Sequence, residues 1–150
     1  MDCNPASARG HHHIIVVVDY FMKWAKAMPT VKSDGETAVH FVFNQIIAWF
    51  GIPKELVTNH GSHFQNHMME ELASKLGYKQ EHSSYFYPQV NGQVEAVNKS
   101  LKSILQWTIA QSKNNWHIML YPALWAYRTL LRLPQVFLHL KFYMEWSQYC

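Results

Sequence analysis

Two rhythms of hydrophobic and polar positions run along this chain. "HHIIVVVD", residues 12 to 19, is an unbroken β-branched run of the kind a strand buried on both faces requires, and "WAKAMPT" after it reads as its hairpin partner. "SDGETAVHFVFNQIIAWFGIP" then switches to a helical period, with Ala38, Val42, Ile46 and Trp49 on one stripe. Ser33 and Glu36 stand at capping-box spacing at its start, and Gly51 with Pro53 beyond it marks the stop.

"KELVT" is a short strand that runs out at Asn59. "QNHMMEELASKLGY" is a helix closed by Gly77, and "YKQEH" a further strand. "YPQVNG" reads as a loop. The next segment, "QVEAVNKSLKSILQWTIAQ", places Val94, Val97, Leu101, Ile104, Leu105 and Thr108 on one helical face and Glu95, Lys99, Lys102 and Gln106 on the other. A last helix covers "NNWHIMLYPALWAYRT", with Pro122 as a kink or internal break. The order strand, strand, helix, strand, helix, strand implies an α/β or α+β domain. After Arg128 the pattern dissolves, and "LLRLPQVFLHLKFYMEWSQYC" shows neither period cleanly.

Composition fits one globular domain: 150 residues, 49% of them hydrophobic and 15% aromatic, are enough for a core. Charged and polar residues interrupt every apolar run before it reaches the roughly 18 to 20 residues of a membrane span. The N-terminus has no signal-peptide pattern, and Cys3 and Cys150 lack metal-knuckle spacing, which suits a reducing, intracellular setting. Net charge is only +3, yet between Ala96 and Met144 the chain carries Lys99, Lys102, Lys113, Arg128, Arg132 and Lys141 and no acid. That half suits a polyanion; the plainer reading is a solvated basic face.

The candidate chemistry lies at Asn59 and Glu95. Phosphoryl-transfer nucleases commonly hold two divalent ions about 4 Å apart with carboxylates from several elements. Glu95 stands at the start of an amphipathic helix, and Asn59 ends a strand, with residues 60 to 94 between them. Asp19, at the end of the best strand, is the aspartate that residue type alone would nominate. His11, His12 and His13 resemble a metal tract, and His60 and His63 stand just after Asn59, but magnesium prefers oxygen. Trp24, Trp49, Trp107, Trp116 and Trp125 read as core rather than as base-stacking platforms.

Four stretches, "GHHHIIVVVDYFMKWAKA", "FGIPKELVTNHGSHF", "YFYPQVNGQVEAVNKSLKSIL" and "NNWHIMLYPALWAYRT", together resemble the catalytic core of retroviral and LTR-retrotransposon integrases, in particular gypsy-type elements, in the family's order over about residues 10 to 129. The resemblance implies an RNase H-like α/β fold, a mixed sheet flanked by helices, with its first strand truncated here. It implies metal-dependent DNA 3′-end processing and strand transfer with Mg²⁺ or Mn²⁺. The partners it implies are retroelement ends and target DNA, with a homodimer and no membrane. The family's Asp, Asp, Glu set maps onto Asp2, Asn59 and Glu95, as catalytic and metal positions. The "VDYF" aspartate, Asp19 here, is not a family ligand. Lys99 and Lys102, four and seven residues past Glu95 and on its face, match DNA-contacting positions, and Arg128 joins them as a nucleic-acid contact.

Asn59 keeps the size and carbonyl of an aspartate without its charge. Asp2, at the chain's start, lacks a preceding strand to hold it. The sequence therefore points to a degenerate core-like protein of DNA integration, impaired in catalysis, that keeps some nucleic-acid binding. An active polynucleotidyl transferase and a dimerising interaction fragment are the alternatives. Nuclear residence would follow if it functions.

Related integrases continue after "YRT" with a segment like "TPTGxTPFxLVYGMEAVLP". Written in permitted codons and read from the third base, Pro134 to Cys150 yields TGVSPFKVLYGMESVL. A single frame slip near Thr129 is the expectation, with a core-like domain over 1–129 and a divergent tail over 130–150; the encoding nucleotide sequence decides it.

Overall fold

The computed structural model describes residues 6–82, 88–108, 113–130 and 141–147, the last of these by backbone alone. Strands β1 (His13–Asp19) and β2 (Ala25–Thr30) form the expected hairpin. Helix α1 (Gly35–Phe41) runs through a π-helical stretch (Val42–Ile47) into α2 (Ala48–Phe50). β3 (Glu55–Thr58), α3 (His67–Leu76), β4 (Lys79–His82) and α4 (Pro88–Thr108) follow. A 3₁₀ turn (Lys113–Asn115), α5 (Trp116–Leu130) and β5 (Lys141–Ser147) complete the order.

The five strands form one mixed sheet in the order β2-β1-β5-β3-β4. β1 pairs antiparallel with β2 and β5, while β3 runs parallel to β4 and β5. Alternation along β1 feeds two cores. Ile14, Val16 and Val18 join Val57, Val94, Val97, Leu101, Leu120 and Leu124 under α4 and α5. Ile15 and Val17 join Leu56, Ala38, Phe41, Ile46, Phe64 and Met69 under α1 and α3. Because both sides of β1 are covered, every residue from Ile14 to Val18 is buried, which is why its sequence is a continuous apolar run.

Local chemistry sets the ends. Asp34, one residue later than the capping-box spacing suggests, caps α1, its carboxylate accepting the Thr37 backbone N–H at 2.9 Å. Asn66 caps α3 through the Met69 N–H at 3.1 Å. Gly35 lets the two helix starts nest, since a Cβ there would lie 2.6 Å from the Asn66 amide nitrogen. Gly77 closes α3 in the left-handed region, at φ +75°.

Four expectations change. α4 begins at Pro88, so "PQVNG" is helical; proline has no N–H to waste at a helix start. Glu95 thus sits about two turns inside the helix rather than on its first turn. Of the tryptophans read as core, Trp116 is buried, but Trp49, Trp107 and Trp125 are 73%, 84% and 68% exposed. For Trp49 the cause is the π-helical stretch, whose wider turns rotate it off the stripe that Ile46 occupies. Finally, the segment without readable period supplies β5, which lies between β1 and β3 and joins the two halves of the sheet.

Candidate functional site

β3 ends where the sheet opens, and the side chains there are held by one another. The Asn59 Oδ1 accepts the Gly61 backbone N–H at 3.1 Å, a local turn that draws the amide back toward its own chain. The Thr58 hydroxyl meets His82 Nδ1 at 3.0 Å, tying the ends of β3 and β4 together. His60 Nδ1 meets the Gln65 side-chain amide at 3.1 Å. His60, which follows Asn59 in sequence, therefore sits in a polar loop.

Register places Asn59 with respect to α4. Val57 belongs to the α4 and α5 core, and Asn59, two residues on, continues the same row of the sheet. α4 covers that row, anchored by Val94 and Val97, with Glu95 exposed between them. Lys99 is exposed and Lys102 half-buried on the same helix. Val57 near the end of β3 and Val94 and Val97 of α4 thus share one core on one face of the sheet. Asp2 lies outside the described residues.

One carboxylate-bearing position escapes sequence reasoning. Val16 of β1 is paired with Glu145 of β5, and Thr58 of β3 with Met144, so position 145 falls one step past that pair, level with Asn59. No periodic signal in the tail pointed to it.

Asp19 is set apart from this row. It is 2% exposed, and its parity along β1 matches Ile15 and Val17, on the opposite face. Its Oδ1 accepts the N–H groups of Phe21 and Met22 at 2.9 and 2.7 Å, while Oδ2 is buried without a hydrogen-bond partner. Burial raises its pKa above the ordinary carboxylate value, against the opposing pull of those two N–H groups and Lys23. It shapes the hairpin turn in which Lys23 adopts φ 58°.

Arg128, the third residue expected to contact nucleic acid, is half-buried and bonded within the domain. Its Nε and Nη2 both donate to the Ala25 carbonyl, at 2.9 and 2.7 Å, and its guanidinium lies 4.5 Å from the Trp24 ring centre. The group clamps α5 to β2, and burial lowers its pKa.

Among the described residues, no group of three or more His, Cys, Asp or Glu side chains is arranged to hold a metal ion. The oxygen of Asn59 already accepts one hydrogen bond, from Gly61, and Glu95 is exposed. The described donor set does not fit the pair of divalent ions that the resemblance implies.

No family model matches the chain. It is 30% identical over 120 residues to the Pol polyprotein of Radiation murine leukemia virus (strain Kaplan), covering 79% of this chain and 21% of the polyprotein. It is 32% identical over 114 residues to the Transposon Tf2-3 polyprotein of Schizosaccharomyces pombe, covering 74% of this chain and 9% of that protein. The chain therefore spans about a fifth or less of the length of these relatives. Among solved structures, the HTLV-2 integrase catalytic core domain in complex with magnesium, in its trimeric form, aligns with TM-score 0.63 and 22% identity over 80% of this chain and 76% of that one. A chain of the simian T-cell lymphotropic virus intasome in complex with PP2A regulatory subunit B56 gamma aligns with TM-score 0.67 and 22% identity over 84% of this chain and 51% of that one. The chain has the RNase H-like mixed α/β fold of integrase catalytic cores, and over about three quarters of its length it is homologous to retroviral and retrotransposon polyproteins.

Proposed function

We propose that this chain is a retrotransposon integrase core-like protein that contacts DNA through the outer face of α4, at Lys99 and Lys102, and is impaired in strand transfer. Asn59 carries the second part of this reading. It stands at the strand end that faces α4, where two-cation chemistry needs a carboxylate, and it offers a neutral amide already engaged by Gly61. Replacing a ligand's charge with an amide costs roughly 3 kcal/mol or more of barrier, about a hundredfold or worse in rate. Arg128 is withdrawn from the DNA-contacting set because its guanidinium is spent on Ala25 and Trp24.

Incubation of the full chain with labelled retroelement ends and target DNA in Mg²⁺ or Mn²⁺ tests the reading. Binding without joining supports it, and joined product above background refutes it. A second reading, self-association, is favoured by the stripe Ile118, Tyr121 and Trp125 on the outward side of α5, each more than half exposed. Sedimentation as a monomer counts against that one.

A further inference from the structure

A cavity of about 330 Å³ lies between the N-terminal segment, β2 and the start of α5. Arg9, His11, His117 and Tyr121 supply its polar wall, and Met28 and Pro29 its apolar one; none of its lining residues is acidic. The volume falls at the lower end of the range for small-molecule sites.

Three cationic or cation-capable groups converge here. The His11 and His117 rings lie 5.2 Å apart, and the Ser7 hydroxyl fixes His11 by meeting its Nδ1 at 2.8 Å. Ser7 is itself held, since its Oγ accepts the backbone N–H groups of Arg9 and His11 at 3.3 and 3.0 Å. The segment is moored to the turn before α5 by the Ala8 N–H donating to the Asn114 carbonyl at 2.8 Å. Burial lowers the His11 pKa, and the positive influence of His117 and Arg9 lowers it further, so the wall gathers cation-capable groups with no acidic side chain among its lining residues.

His117 adds an independent sign. It is 6% exposed, lines the cavity, and its Nδ1 is buried without a hydrogen-bond partner. A buried polar atom left unpaired costs stability and calls for an explanation. It also stands in the first turn of α5, a fifteen-residue helix whose amino end favours negative charge.

We propose that this cavity binds a phosphoryl oxyanion, free or carried on a nucleic-acid backbone, with Arg9 as the charged clamp and the imidazoles of His11 and His117 flanking it. An anion of this class matches the planar guanidinium fork and relieves the crowding of cationic groups. The cavity adjoins the last residues of β2, which pair with the first of β1 (His13 with Thr30), and antiparallel register puts that end of the sheet on the side where β3 runs out at Asn59. The site does not depend on the strand-transfer reading.

The test is a titration of the histidine-labelled full chain, followed by ring-proton NMR at constant ionic strength, with inorganic phosphate in one arm and a two-nucleotide DNA in the other. The His11 and His117 signals should move along a saturable curve while those of His60 and His63 stay still, and Arg9→Ala should weaken binding about tenfold while leaving the fold intact by circular dichroism. His11→Gln supplies a second variant, with the same expected weakening. Saturation by inorganic phosphate alone assigns a small phosphate; saturation by both assigns a backbone phosphate as well. A response in neither arm, one shared equally by His60 and His63, or one unchanged in both variants overturns the proposal.

Discussion

The side-chain oxygen of Asn59 lies 3.1 Å from the backbone nitrogen of Gly61 and accepts its hydrogen. Asn59 is thereby a turn former, besides the part proposed for it in the site. Asn59→Ala should destabilise the domain by about 0.5 to 1.5 kcal/mol, the worth of one such bond, whereas Asn59→Asp, which keeps the acceptor, should be close to neutral. Urea denaturation of the three proteins measures both.

The cations of the C-terminal half divide by partner. Arg128→Ala removes two hydrogen bonds to Ala25 and the stacking on Trp24, and should lower stability by about 2 kcal/mol. Lys99→Ala and Lys102→Ala should leave stability almost unchanged but reduce the slope of log affinity for DNA against log salt by about 1 each. Thermal unfolding and DNA titrations at several salt concentrations separate the two classes.

Lys26 gives a pH signature. Burial first, and then the neighbouring Arg128 charge, bring its ammonium group down to about 8 from an ordinary 10.5. Between those values the unfolded chain keeps a proton that the folded chain has released, so stability rises as pH climbs through the window. Lys26→Met keeps an apolar stem beside Trp49 and Phe50, over whose rings the ammonium sits at 4.4 and 4.9 Å, and removes the titration. Denaturation at about pH 7.5 and about pH 9.5 should show the rise in the parent protein and its loss in the variant.

The strand β5 yields a structural test. Met144 is paired with Val17 on one side and Thr58 on the other, so proline at that position removes a ladder donor in the middle of the sheet. Met144→Pro should cost about 3 kcal/mol or more and lower the strand signal in circular dichroism. A tail outside the fold would tolerate the change.

Legibility followed the strength of local period. β1 was readable because covering on both faces demands Ile14 to Val18 in one run, and α3 because its amphipathic face and Gly77 agree. The assignment of Asn59 and Glu95 to one site was implied by the resemblance rather than by any pattern of burial. β5 was not readable, since "KFYMEWS" mixes charge and aromatics and gains its place from pairing with β1 and β3 rather than from propensity. Trp49 failed for a local reason: no sequence signal announced the π-helical turns. The cavity at His117 combines residues far apart in the chain, and only the packing of the N-terminal segment on α5 assembles it.

The central claim is that an amide at position 59 disables strand transfer. Its most direct test compares the unmodified chain with Asn59→Asp in joining of labelled retroelement ends to target DNA with Mg²⁺ or Mn²⁺. No joining by the unmodified chain and at least partial joining by Asn59→Asp is the predicted result. Metal-dependent joining by the unmodified chain would contradict it.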